Sequence, residues 1–335
     1  MSDPLSPTEL QEILAFTKAL ARKAGALILE GSHAIQRAGL GSVGEKKNAV
    51  DLVTEYDVKV EELVRGEIAQ AYPHFQFIGE ESYSSGTRPP LTDTPTFCVD
   101  PIDGTTNFVH GFPYACISLG LIDQRQPVLG VIYNPFLEQL YTGARGAGSF
   151  LHTRVSANAN ADADVDDPYP HPQRLPLAAA AVRPLPGLAG ALVAVEWGSD
   201  RAQEPIKRKA GSFSRLAGAP PHGVMAHSLR SVGSAALNFA LVAQGALDMY
   251  WYVGCWPWDV CAGIVIAQEA GGFVTGGHNV STRDGVVTEA ILTGRRFLVI
   301  RGVAGGTTSE ESSLDVQKRL AREFYETVED IPLDE

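Results

Sequence analysis

Helical and strand periodicities interleave along the whole chain, which predicts a layered α/β or α+β fold. Two further observations bound it. The 335 residues are 44% hydrophobic, enough to bury a large core as one big domain or as two fused halves. Charged residues make up 20% and no long stretch lacks apolar ones, so the chain is globular rather than disordered. No internal repeat is visible.

The elements follow in order. Ser6-Pro7-Thr8-Glu9 reads as a helix start, with Ser as N-cap, Pro at the first helical position and Glu closing a capping box. Leu10, Ile13, Leu14, Thr17, Leu20, Ala21, Ala24, Leu27 and Ile28 then keep helical spacing to about residue 30. A second helix is predicted from an N-cap at Thr54 to just before Pro73. Phe75 to Gly79 and Thr96 to Val99 read as short buried strands. Ala115 to Ile122 and Val128 to Tyr133 read as longer ones, joined by a turn at Gln124 to Pro127. Residues 153–172 are rich in Asn, Asp, Ala and Pro without periodicity, as expected of a surface insertion. Strand character resumes at Ala191 to Glu196. Helices are predicted over Ser234 to Gln244, over Asp259 to Ala270 with Gly271-Gly272 as its stop, and over Leu314 to Val328. Lys207-Arg208-Lys209 is read as a solvated helix face.

The formal net charge is −12 and the basic residues are scattered, which argues against nucleic acid as a ligand. An acidic protein that handles an anionic substrate needs a cation at its site, and metal ions are the usual one. Cys98, Cys116, Cys255 and Cys261 form no CxxC pair and no metal-type spacing with histidine, so reduced core thiols are expected. The first ten residues lack a basic segment followed by an apolar one, and Leu175 to Val195 is broken by prolines. A cytoplasmic protein with no membrane partner is expected. Asn279-Val-Ser281 is taken as a chance sequon.

Four acidic segments stand out. Asp51 to Asp57 can be a loop ending in a capped helix, Glu80-Glu81 an exposed acidic pair, and Trp258-Asp259 an N-cap with an aromatic neighbour. Asp100-Pro-Ile-Asp-Gly104 resists the equivalent reading as a plain turn. Asp100 follows the apolar Phe97-Cys98-Val99, and Asp103 lies three residues on, so both carboxylates can reach one point. Gly104 lets backbone pass close to a ligand, and Thr105-Thr106-Asn107 supply hydroxyls, an amide and N–H groups suited to phosphate. Clustered carboxylates are costly to bury without a counter-charge, and oxygen-only ligands with room for water suit Mg²⁺.

These residues resemble the motifs of the inositol monophosphatase family, within the metal-dependent, lithium-sensitive sugar phosphatases. Gly79-Glu-Glu-Ser82, Asp100-Pro-Ile-Asp-Gly-Thr-Thr-Asn-Phe108 and Trp258-Asp-Val-Cys-Ala-Gly263 carry the resemblance. Asp51 to Asp57, with Lys46 before it, and Arg230-Ser-Val-Gly-Ser-Ala235 extend it over about residues 8–300. It implies an αβαβα sandwich forming a single domain over 8–305. The N-terminal half (8–152) would hold most metal ligands, and the C-terminal half (173–305) Asp259 and the substrate pocket. A C-terminal helix and tail follow over 306–335. It implies two to three Mg²⁺ ions. Glu80, Asp100 and the carbonyl of Ile102 would bind the first, and Asp100, Asp103 and Asp259 the second. Asp57 and Glu81 would support a third through waters, with Lys46 and Asp51 nearby. Thr105, with Glu80 and Asp57, would orient and deprotonate a metal-bound water for direct in-line attack. Gly104 and Thr105 would hold the phosphate through backbone N–H groups, and Gly233, Ala235, Tyr252 and Asp259 would line the substrate pocket. A homodimer is implied as well.

The resemblance also shows a departure. Seven residues before Asp259, the family's inositol phosphatases carry a Glu that hydrogen-bonds a ring hydroxyl, and this chain has Tyr252; Trp256-Pro257 replaces a His-Cys pair. Tyr252 either hydrogen-bonds a substrate or fills a pocket wall. The pattern is closest to the fungal branch, which includes proteins linked to quinate utilisation. An inositol monophosphate is the expected substrate. The alternatives are another polyol or sugar phosphate or a 3′-phosphonucleotide, and a non-catalytic regulator. No basic cluster is evident beside the late motifs, which ranks multiply charged substrates second. No GxxxxGK[ST] segment is present for a nucleotide-dependent kinase.

Overall fold

The computed structural model describes residues 3–38, 43–45, 52–154, 171–177, 183–278, 285–306 and 311–333. Lys46, Asp51, the sequon and most of the 153–172 insertion lie outside the described residues. The elements run α1 (Pro7–Ala38), β1 (Val43–Glu45), β2 (Leu52–Thr54), α2 (Glu55–Ala71), β3 (Gln76–Gly79), α3 (Glu80–Ser84), β4 (Thr96–Asp103), α4 (Thr105–His110), β5 (Cys116–Asp123), β6 (Gln126–Asn134), β7 (Gln139–Ala144), β8 (Gly148–Thr153) and β9 (Gln173–Arg174). The second half continues with β10 (Leu192–Val195), α5 (Gln203–Ala217), β11 (Ser228–Arg230), α6 (Ala235–Gln244), β12 (Met249–Val253), α7 (Pro257–Glu269), β13 (Phe273–Thr275), α8 (Glu289–Leu292), β14 (Arg296–Ile300) and α9 (Ser313–Thr327).

Strands β3 to β9 form a seven-stranded sheet in chain order, and β11-β10-β12-β14-β13 form a five-stranded one. Helices α1 and α2 pack on the outer face of the first sheet, α6 and α7 lie between the sheets, and α5 and α9 cover the second. This is the expected αβαβα sandwich. Period-two alternation sorts the side chains. On β4, Phe97 and Val99 enter the core under α1 and α2, whereas Cys98 faces the central layer. The C-terminal helix seals the outer core with Val316, Leu320 and Phe324.

Several boundaries differ from those read in the sequence. Helix α1 runs on to Ala38, because Ser32 and Ile35 keep the buried stripe going past residue 30. Strand β4 extends to Asp103 despite Pro101, because the strand bulges there. The turn between β5 and β6 tightens to Gln124 and Arg125, both at positive φ, as a two-residue hairpin requires. Helix α7 starts at Pro257, so Asp259 is its third residue rather than its N-cap. Lys207 is exposed, but Lys209 is only 2% exposed, so the basic run is not a wholly solvated face. All four cysteines are buried thiols, as expected.

The central layer is unusually close-set. Gly120 pairs with Gly130, and Gly130 with Gly143, making a glycine row across β5, β6 and β7. Helix α7 lies directly on that row. A Cβ at Gly120 would sit 2.5 Å from Cys261 Sγ, one at Gly143 3.0 Å from Ile266 Cα, and one at Gly130 would run into the Ala262 carbonyl. A Gly130→Ala variant should therefore lose about 1–3 kcal/mol through overpacking. Calorimetric melting would read this as a lowered midpoint, and an unchanged midpoint would refute so close a seating.

Candidate active site

The site begins with a question of parity. In an unbroken strand, residues three apart point to opposite faces. Asp100 pairs with Ser118 but Asp103 with Cys116, so three residues on β4 span two on β5. The extra residue is a bulge at Pro101-Ile102, where Pro has no N–H for the ladder. Both carboxylates are thereby turned toward the central layer. Ile102 N–H donates back to Asp100 Oδ1 at 3.0 Å, which fixes the bend.

Asp103 meets the start of α6. Its Oδ2 accepts from Ser234 Oγ at 2.6 Å and Ala236 N at 2.7 Å, and its Oδ1 from Ala235 N at 3.3 Å. Burial nevertheless outweighs these bonds, and together with the charge of Glu80 it pushes the Asp103 carboxyl up to about 6. Asp259 arrives on the first turn of α7, with Oδ2 accepting from Trp256 N at 2.7 Å. Burial first, then the charges of Glu80 and Asp103, hold its carboxyl well above the usual carboxylate range, against a hydrogen bond with Asp100. Four acids from three segments thus share one electrostatic neighbourhood.

The remaining predicted residues are placed around these. Glu80 and Glu81 are half-buried on the first turn of α3, not an exposed pair. Asp57 is fully buried and closes the α2 capping box, accepting from Thr54 N at 2.8 Å and Thr54 Oγ1 at 2.6 Å. Thr105 Oγ1 lies 3.1 Å from the Ile102 carbonyl and 3.3 Å from Asp57 Oδ1, so one hydroxyl proton has two acceptors. Gly104 adopts φ +90 as the N-cap of α4, and a Cβ there would lie 3.0 Å from the Gly233 carbonyl. Gly233 takes φ +80, and Ala235 opens α6. Tyr252 is half-buried at the end of β12, its hydroxyl held well above its ordinary range by burial and by charges that include Asp259 and Asp103.

Sequence reasoning missed the groups that hold these segments. Glu61, buried on α2, accepts from Glu81 N at 2.7 Å and Ser82 N at 2.9 Å, and so anchors α3. Glu196 accepts from Val232 N, Gly233 N and Asn238 Nδ2 on one oxygen and from Ser231 Oγ on the other, at 2.9 to 3.0 Å. Asn107 does not offer its amide to a ligand; Nδ2 donates to the Tyr114 carbonyl at 2.8 Å and the Val232 carbonyl at 2.7 Å. The acidic residues at positions 61 and 196 stand outside the recognisable segments, so only the paired N–H groups reveal them.

Among the described residues, no three His, Cys, Asp or Glu side chains close round one point as a finished metal centre does. The donor chemistry nonetheless suits a hard divalent cation. The donors are all oxygen, and the carboxyls of Asp103 and Asp259 are driven toward neutrality by burial and mutual repulsion that a cation would relieve. Among the described residues no helix is long and apolar enough to cross a membrane.

Fold and motif together define a member of the inositol monophosphatase family, a class of metal-dependent phosphoric monoester hydrolases; the chain belongs to it, and the family's model matches residues 9–329. The chain is 40% identical to protein qutG of Emericella nidulans, over 98% of its own length and 96% of that protein. It is 39% identical to inositol monophosphatase 2 of Saccharomyces cerevisiae, covering 92% of each, and 36% identical to quinic acid degradation cluster protein x of Neurospora crassa, covering 96% and 95%. Its fold is similar to that of inositol monophosphatase from Anabaena, with a TM-score of 0.66 and 26% identity over 96% of this chain and 97% of that one.

The Glu196 knot yields a direct expectation. Glu196→Gln replaces one acceptor oxygen with a donor opposite buried donors, and should cost about 1–3 kcal/mol. Urea unfolding measures this; an unchanged stability would mean that the loop carrying Gly233 is held by other contacts.

Proposed function

We propose that this phosphatase hydrolyses a polyol monophosphate, with inositol monophosphate the first candidate, by direct in-line attack of water at a Mg²⁺ centre. The observation that carries this reading is that Asp103 and Asp259 are buried within electrostatic reach of each other, of Asp100 and of Glu80, beside the Thr105 hydroxyl and backbone N–H groups suited to a phosphate. Glu80, Asp100 and the Ile102 carbonyl would hold one ion, and Asp100, Asp103 and Asp259 a second. Asp57 and Glu81 would support a third. Ions bound there supply Lewis acidity: they lower the pKa of water, polarise the phosphoryl group and stabilise charge on the leaving oxygen.

The chain's own groups do the rest. Asp57, locked by Thr54, accepts a hydrogen bond from the Thr105 hydroxyl, so that hydroxyl presents a lone pair to the attacking water. Glu80 accepts the proton that this water gives up. The N–H groups at Gly104 and Thr105 hold phosphoryl oxygens, and Gly233 and Ala235 bound the pocket through the contacts of their loop with Gly104 and Asp103. No side chain is arranged as a covalent nucleophile in this scheme.

A second reading, hydrolysis of a different polyol or sugar phosphate, is favoured by Tyr252. Its neutral hydroxyl stands where the inositol enzymes of the family place a carboxylate. A non-catalytic regulator has no physical use for so many like charges kept together. We further infer a cytoplasmic homodimer.

A phosphate-release assay on myo-inositol 1-phosphate with Mg²⁺, with chelator and with Asp100→Asn tests the mechanism. Chelation and the substitution should each reduce turnover by about a hundredfold or more, since each removes the positive charge that activates water. Turnover indifferent to both would overturn the metal mechanism.

A further inference from the structure

Beside Tyr252 and Trp256 lie two cations that the hydrolysis does not use. The first is Lys209. It is 2% exposed, and its Nζ donates to the Trp197 carbonyl at 2.6 Å and, more weakly, to the Val253 carbonyl at 3.5 Å. Those two bonds leave a third N–H. Lys209 also lies beside Tyr252: a Cβ built on Gly198 would be 3.0 Å from Lys209 Nζ and 3.4 Å from Tyr252 Oη. The second cation is Arg295. Its guanidinium stacks 3.9 Å above the Trp256 ring, Nη2 donates to the Gly254 carbonyl at 3.1 Å, and Nε is buried without a hydrogen bond.

Among the described residues neither cation has an ion-pair partner, in a chain whose net charge is −12. Arg183 and Arg301, by contrast, share Asp248. Glu196 and Asp200 act on Lys209 only from beyond ion-pair distance, and burial pulls its ammonium down to about 8. An unbalanced buried charge is costly, and it is retained where something brings the opposite charge.

The two cations hold neighbouring stretches of one backbone. Val253 and Gly254, whose carbonyls they hold, are adjacent. Gly254 sits at φ +116, and a Cβ there would enter open space. Cys255, the next residue, lies within electrostatic reach of both. The same loop is tied to the acidic cluster through Trp256 N, which donates to Asp259 Oδ2 at 2.7 Å. The basic corner absent from the sequence reading therefore exists. It is assembled from α5 and the turn before β14, far in sequence from the late motifs.

We propose that the group carrying the scissile phosphate also bears a second anionic substituent, a carboxylate or a second phosphate, received over Gly254 between Lys209 and Arg295. The proposal rests on the phosphatase reading and names its substrate class. Glucose 1-phosphate, glucuronate 1-phosphate and glucose 1,6-bisphosphate test it, because they share one ring and differ at one carbon: hydroxymethyl, carboxylate or phosphate. At least one anionic ester should exceed the neutral one in kcat/KM by about tenfold, the scale of one partly desolvated charge contact. Which one does so identifies the second anion.

That ratio should collapse in Lys209→Met and in Arg295→Gln and survive in Lys209→Arg. If Lys209→Met does not fold, Arg295→Gln decides. Equal kcat/KM for all three esters, or a preference intact in the variants, would overturn the proposal. If no ester releases phosphate, calorimetric titration of the same esters decides the subsite, and the phosphatase reading falls only if myo-inositol 1-phosphate with Mg²⁺ is left intact as well. Tighter binding of an anionic member that is lost in the variants upholds it, and equal binding rejects it.

Discussion

Helix α7 resting on bare backbone is the contact on which the site depends. Three glycines in ladder register remove the side-chain layer that ordinarily separates a helix from a sheet, and Gly263 lets Phe239 of α6 approach from the other side. The helix therefore cannot ride outward without opening a void, nor inward without a clash. Its first turn is delivered to the end of β4, where Asp259 and Asp100 share a hydrogen bond. A looser interface would blur the distance between them.

The chain offsets the cost of gathering acids with backbone N–H groups. Asp103 accepts at the start of α6, Asp259 within α7, Asp57 within α2, and Glu61 and Glu196 hold the backbones of α3 and of the loop at Gly233. Each carboxylate is thereby oriented before any ligand binds. Burial still prevails at Asp103 and Asp259, whose carboxyls stay raised. That residual imbalance is what a divalent cation would relieve.

Much of this was legible in the sequence, and the remainder was hidden for identifiable reasons. The acids of the Asp100 segment could be read because a strand-ending apolar run and a tight Gly turn lie within one short window. Helices α2, α6 and α9 could be read from caps and periodicity. The continuation of α1 past residue 30 was missed because the apolar stripe thins there. Lys209 was misread because its two basic neighbours suggest solvent, whereas its burial depends on loops around Trp197 and Val253 that no local pattern reveals. Glu196 and Glu61 were invisible for the same reason: their partners lie 20 or more residues away.

The bulge at Pro101-Ile102 has a consequence for how such a site can vary through descent. Asp100 and Asp103 face the same layer only because one residue too many separates them for a flat strand. Ile102 contributes its carbonyl and N–H to the site, and its side chain belongs to the opposite core. Exchange of that side chain for another apolar one leaves the arrangement standing, whereas loss of a single codon would turn Asp103 to the wrong side of the sheet. At this turn the number of residues is guarded more strictly than their identity.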